Sequence, residues 1–279
     1  MNRKILAISC LPLFVYGMDI PSNNPESSSA IQSVQISETS LCEAISHGHI
    51  DLVNALIEKG ADVNANMPLF AAALHGDGQI AQVLIRNGAD VNAIDESGRT
   101  PLILAIMREN KGAVNALIHG GADVNVNHNA KIKYDNPWDN ATPLHKAAMH
   151  KNPEIIRDLV GHGADVSKTS YKGMTPLHYF ASRSLCGYED KIYNMVWYLG
   201  GQRAKISINA VDEYGKTPLH YAAESKYLDI ISALIEMGAN INAVDKYGKT
   251  PLDYAEEKGA IDAVSILKGR MAKKANELK

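Results

Sequence analysis

The stretch Leu228–Gly238, "LDIISALIEMG", places apolar residues at Leu228, Ile231, Leu234 and Ile235. That three-and-four spacing predicts an amphipathic helix with one buried face. Gly238 is expected to end it, because glycine accepts the left-handed conformation used at helix C-caps. Just upstream, Leu219, Ala222 and Ala223 line up one apolar face of small side chains, which lets a second helix approach closely. Thr217 can cap that helix through its hydroxyl. Pro218 suits the first helical position, where a missing N–H costs nothing. The following "INAVDKYG" reads as an extended hairpin with its turn at Gly248. The pattern therefore predicts a helix, a turn, an antiparallel helix and a hairpin.

The same order recurs along the chain. Thr100-Pro101-Leu102, Thr142-Pro143-Leu144, Thr175-Pro176-Leu177, Thr217-Pro218-Leu219 and Thr250-Pro251-Leu252 share one start, and Met67-Pro68-Leu69 is a variant of it. Successive spacings from Met67 are 33, 42, 33, 42 and 33. A second signature follows, "GADVNA" from Gly60 and Gly88, "GADVNV" from Gly121, "GADVSK" from Gly163 and "GANINA" from Gly238. A fixed period of this length marks an array of stacked units. With its T-P-L-H start and 33-residue period, the chain resembles the ankyrin repeat family over about residues 38–270.

The resemblance implies an all-α solenoid of helix-turn-helix units with projecting β-hairpins. About seven units fill residues 37–279. The first, from Ser40, lacks the T-P-L-H start, and the seventh decays into "SILKGRMAKKANELK", as expected of end caps. The second opens directly after Asn66, so the first hairpin is short. Asn140 stands where other hairpin turns have glycine, and asparagine tolerates that conformation next best. Two insertions, at about 126–141 and 182–206, stretch the period to 42. Loop lengthening costs little, so they are either tolerated decoration or part of a binding face.

The N-terminus differs in kind. "MNRK" is basic, "ILAISCLPLFVY" is an apolar run, and Gly17 is small, which together describe a signal peptide over residues 1–17. Such a run is too short to span ~30 Å of bilayer as a helix. Residues 18–36, rich in Ser, Asn and Pro, read as a flexible linker. Export to a periplasm, the medium or a host cell is expected, and an export signal on a lone repeat array points to a bacterial source. Loss of Arg3 and Lys4 takes the net charge from −3 to −5. Neither value favours nucleic acid, and no stable membrane insertion is expected after cleavage.

Candidate chemistry is thin. His145, His178 and His220 fall in one slot of successive units, about 10 Å apart, whereas zinc needs ligands near ~2 Å. The family uses this histidine as a structural hydrogen-bonding group, and Ile103 and Asp253 replace it in two units. No metal, cofactor or catalytic constellation is expected, and the chain reads as a non-enzyme. Cys42 and Cys186 lie far apart and make no disulfide framework.

The variable positions remain. Hairpin tips carry Trp138, Tyr171, Tyr214 and Tyr247. Arg99, Met174, Lys216 and Lys249 precede the cap threonines. The first helices offer Met107 with Arg108, Met149 with His150, and Glu224 with Ser225. Aromatic, Met and Arg side chains are enriched in protein interfaces, although a tip tyrosine can equally pack on the next hairpin. Tyr179, Tyr221 and Tyr254 read as packing residues. The expected function is a monomeric, non-catalytic scaffold that binds an unidentified protein through hairpin tips and the concave helix face. Two alternatives stay open: a periplasmic accessory that stabilises an enzyme, and small-ligand binding at the fifth-unit insertion around Tyr188, Tyr193 and Trp197.

Overall fold

The computed structural model describes residues 38–75, 78–127, 140–150, 152–182, 192–200 and 208–277. The expected signal peptide and linker lie outside these residues, as do Trp138, Tyr188 and most of both insertions.

Seven helix pairs follow one another: α1 (Glu38–Ser46) with α2 (Ile50–Glu58), α3 (Pro68–His75) with α4 (Gly78–Arg86), α5 (Pro101–Met107) with α6 (Lys111–His119), and α7 (Pro143–His150) with α8 (Pro153–Gly161). Then come α9 (Pro176–Ala181) with α10 (Ile192–Gly200), α11 (Pro218–Ser225) with α12 (Leu228–Glu236), and α13 (Pro251–Glu257) with α14 (Ile261–Glu277). First helices pack on first helices and second on second, so the units form two helical layers. The core lies between the layers. Leu102, Leu144, Leu177 and Leu219, each two residues after its threonine, are fully buried, and so are Leu84, Leu117, Leu159 and Leu234 opposite them. No unit closes this core alone; each is sealed by its neighbours.

Local chemistry sets the helix ends. Thr100 Oγ1 accepts the Ile103 N–H at 3.3 Å, with Pro101 at the first helical position. Asn110 and Asn152 cap α6 and α8 by accepting the Ala113 and Ile155 N–H groups, both at 3.2 Å. Gly238 ends α12 at φ +92°, and the Ala239 N–H reaches back to the Leu234 carbonyl at 2.9 Å. In the fifth unit residues 182–191 separate α9 from α10, where other pairs are joined by two or three residues. Most of the added length therefore lies between the helices, the rest follows α10, and α10 is the unit's ordinary second helix.

The hairpins are more compact than the sequence suggests, and no described residue belongs to a strand. Each described finger of units three, six and seven is a tight turn whose base is closed by a backbone bond, Asp95 N–H to Arg99 O at 2.9 Å, Asp212 N–H to Lys216 O at 3.0 Å and Asp245 N–H to Lys249 O at 3.0 Å, with a second across its tip from the glycine N–H to the aspartate carbonyl. The aspartate explains the compactness. Its Oδ1 accepts the N–H groups two and four residues on, such as Tyr214 and Lys216 at 2.9 Å each, and folds the backbone over. Neighbouring fingers are joined by single bonds, Glu213 N–H to Lys172 O and Lys246 N–H to Tyr214 O, both 2.9 Å. Asn140 adopts φ +61° in the glycine slot, as expected. Asn66 and Met67 are both left-handed, at φ 56° and 60°. With no finger and no threonine at that entry, a double left-handed turn feeds α3 directly.

Candidate partner-binding surface

The recurring histidines are structural locks. His145 Nδ1 accepts the Thr142 N–H at 3.1 Å and lies 2.8 Å from the Thr142 hydroxyl. His178 repeats this on Thr175, and His220 on Thr217. A backbone N–H can only donate, so Nδ1 carries no proton, and the proton sits on Nε2. Each Nε2–H then donates to a carbonyl of the following unit: Met174 at 3.1 Å, Lys216 at 3.1 Å and Lys249 at 3.2 Å. One side chain thus caps its own helix and fastens the next unit. All three are 0% exposed. Burial, only partly offset by the bond to the next unit's carbonyl, lowers His145 and His178 to about 4 and also lowers His220. They are neutral at pH 7, which is what the lock requires. In the seventh unit Asp253 accepts from both Thr250 N and Oγ1 at 2.7 Å, closing the cap within one unit.

A second set surrounds the locks. Tyr179, Tyr221 and Tyr254 stand edge-on to the histidine of the preceding unit, with ring centroids 5.6–5.8 Å apart. Tyr221 and Tyr254 donate their hydroxyls to Asp212 and Asp245, at 2.6 and 2.7 Å. Burial first, then those carboxylates, push both phenols up and keep them protonated. Burial would raise Asp245, but the bonds from Tyr254 and the finger N–H groups outweigh it and hold it below the usual range. The same carboxylate therefore folds the finger and anchors the next helix.

Against this frame the candidate residues separate. Met107 is 37% exposed and Tyr247 65% exposed. Arg108 is exposed beside Met107, while Met149, His150, Tyr171, Met174 and Tyr214 are half-buried. Arg99 bends back onto its own finger, Nε donating to Asp95 Oδ2 at 2.8 Å. Lys172 lies over both tip rings, Tyr171 at 5.1 Å and Tyr214 at 5.5 Å, so these tips touch one another through it. Lys216 is drawn inward. Its side chain is 14% exposed, pairs with Glu224 at 2.9 Å and sits 4.0 Å above the Tyr254 ring. Lys249 pairs with Glu257 at 2.6 Å in the same manner. His150 Nδ1 faces Glu109 at 3.7 Å, and its buried Nε2 has no partner among the described residues.

Models of ankyrin repeats match residues 41–128 and 189–276 in three-copy form, and residues 141–184 in many-copy form. The chain belongs to the ankyrin repeat family. The ankyrin repeat domain of human ASB11 matches the fold with a TM-score of 0.65, at 26% identity, over 81% of this chain and 96% of that one. Human transient receptor potential cation channel subfamily A member 1 is 27% identical over 72% of this chain. The Xenopus laevis neurogenic locus notch homolog protein 1 is 30% identical over 52% of it. The chain spans only 18% and 5% of the length of those two relatives. Ankyrin repeats are in general scaffolds for protein–protein interaction, and their domains are typically non-enzymatic. Among the described residues no helix is long and apolar enough to cross a membrane, and no group of three or more His, Cys, Asp or Glu is placed to hold a metal.

Aligning the ankyrin units on their threonines adds Leu74, His75, Ser182, Glu257 and Lys258 to the first-helix candidates already read from the sequence. Seven positions after the start lie Leu74, Met107, Met149, Ser182, Glu224 and Glu257, and the next position holds His75, Arg108, His150, Ser225 and Lys258 among described residues. The signal is a column across units rather than a local run. Lys146 was missed for the same reason. It occupies the tyrosine slot of unit four at 3% exposure. Burial first and the nearby Arg99 second lower its ammonium to about 8.

Proposed function

We propose that this ankyrin array is a non-catalytic scaffold that holds a partner protein against the concave surface of its first helices and the adjoining finger tips. The observation carrying this reading is the division of labour just described. The residues that recur from unit to unit spend their polar groups internally, and the three repeating histidines are buried, neutral and doubly bonded. What is left to face outward is the set that varies. A stack that is already rigid loses little freedom on association, which favours binding. Among the described residues, open hollows lie on second helices, one between α12 and α14 beside Ser232 and Arg270, the other between α4 and α6 beside Arg86 and His119. Neither is lined by Tyr193 or Trp197, so nothing described favours small-ligand binding there. Export through residues 1–17 rests on the basic start and apolar run alone, and N-terminal sequencing of the mature protein tests it.

The binding test uses a photo-crosslinking residue at Met107, at Tyr247 or at Ser232 on a second helix. Adducts of one partner from the first two sites, absent from the third, are expected. Adducts from Ser232 alone would overturn the reading.

A further inference from the structure

The row of first helices has two chemically different halves. In units six and seven the columns carry Glu224 and Glu257, and both are consumed: Lys216 and Lys258 lie 2.9 and 3.5 Å from Glu224, and Lys249 lies 2.6 Å from Glu257. That half is neutralised from within. In units two to four the same column is apolar, Leu74, Met107 and Met149, and its neighbour is basic or imidazole, His75, Arg108 and His150. The three units are consecutive, since α3 packs on α5 and α5 on α7. Cross-unit contacts bind this row: Asn110 Nδ2 donates to Ala73 O at 3.3 Å, and His150 faces Glu109 at 3.7 Å. Asp95 accepts from Arg99 and its own finger N–H groups, and Glu109 turns to His150.

We propose that units two to four bind an extended acidic segment of the partner, its apolar side chains on Leu74, Met107 and Met149 and its carboxylates toward Arg108 and the flanking imidazoles. This rests on the scaffold reading above and names the partner's chemistry. First helices stand about 10 Å apart, and an extended chain of the polyproline II type advances ~3.1 Å per residue and returns to the same face every third residue. One unit therefore meets three residues, and the segment repeats an apolar and an acidic residue every third position.

The test is a selection of random twelve-residue peptides displayed on phage against the full chain, followed by anisotropy of the recovered peptides. Recovered peptides are expected to be net acidic with apolar residues three apart. Their affinity falls about tenfold in Arg108→Glu and comparably in Met107→Glu, weakens with salt, and is unchanged in Glu257→Gln. Circular dichroism checks that each variant is folded, and Arg108→Glu, on an exposed side chain, serves if Met107→Glu is not. Neutral or basic peptides overturn the inference. So does binding that survives both substitutions but is lost in Tyr247→Ala, an outcome that leaves the scaffold reading standing. A dimer abolished by Met107→Glu assigns the groove to a second copy and also overturns it. Failure to recover any peptide, together with crosslinks from Ser232 alone, removes both readings.

Discussion

At the scale of single residues, the histidine lock makes stability depend on pH in a defined direction. Unfolded, each imidazole takes a proton below about 6.5; folded, His145 and His178 resist until about 4. Between those values the unfolded chain binds more protons, so stability is full above pH 6.5 and falls as the pH drops toward 4. At 1.36 kcal/mol per pH unit, the whole window is worth roughly 3 kcal/mol for each of these two histidines. Denaturant unfolding at pH 7 and pH 5 should show this loss. His178→Gln is expected to be less stable at pH 7 and to have a flatter profile. An unchanged slope would mean that the imidazole titrates normally. The protonated ring fails for a geometric reason: a second N–H on Nδ1 points at the Thr175 N–H, 3.1 Å away.

At the scale of elements, helix spacing is set by the smallest side chains. A Cβ on Gly78 would lie 2.5 Å from the Gly112 backbone, so α4 and α6 meet there without any side chain between them. Gly78→Ala must push backbone against backbone, and a loss of about 1–3 kcal/mol is expected in thermal or urea unfolding. Gly120→Ala meets the Ile85 side chain at 2.9 Å, which can rotate away, and the Ala116 carbonyl only at 3.1 Å, and should cost less. The order of elements was legible because its determinants are local: Thr217, Pro218 and Gly238 each act within a turn of their own position. The fingers were misjudged as extended hairpins because Asp212 and Asp245 supply acceptors that a strand partner would otherwise provide. Lys216 read as a surface residue because its fate is settled by Glu224 and Tyr254, eight and thirty-eight residues away in the chain. Met107 and Met149 were legible as exposed first-helix positions, but Leu74 joined their column only once the units were superposed.

At the scale of the whole molecule, the array is unevenly fastened. The lock slot holds Phe70 and Ile103 in units two and three, His145, His178 and His220 in units four to six, and Asp253 in unit seven. Units two and three cohere through apolar packing, while units four to seven add polar fasteners that acid weakens. Hydrogen exchange at pH 5 against pH 7 should therefore show faster exchange through α7 to α13 and little change through α3 to α6. Uniform acceleration would contradict it. The fasteners also have a direction. Each closes on a carbonyl 29 or 38 residues further along, so in a chain synthesised from its N-terminus every seal trails the growing end by one unit. A unit is inspected by its predecessor and waits for its successor. Asp253 ends that dependence, because its cap is complete with Thr250 alone: a carboxylate in place of an imidazole tells the stack that no further unit is owed.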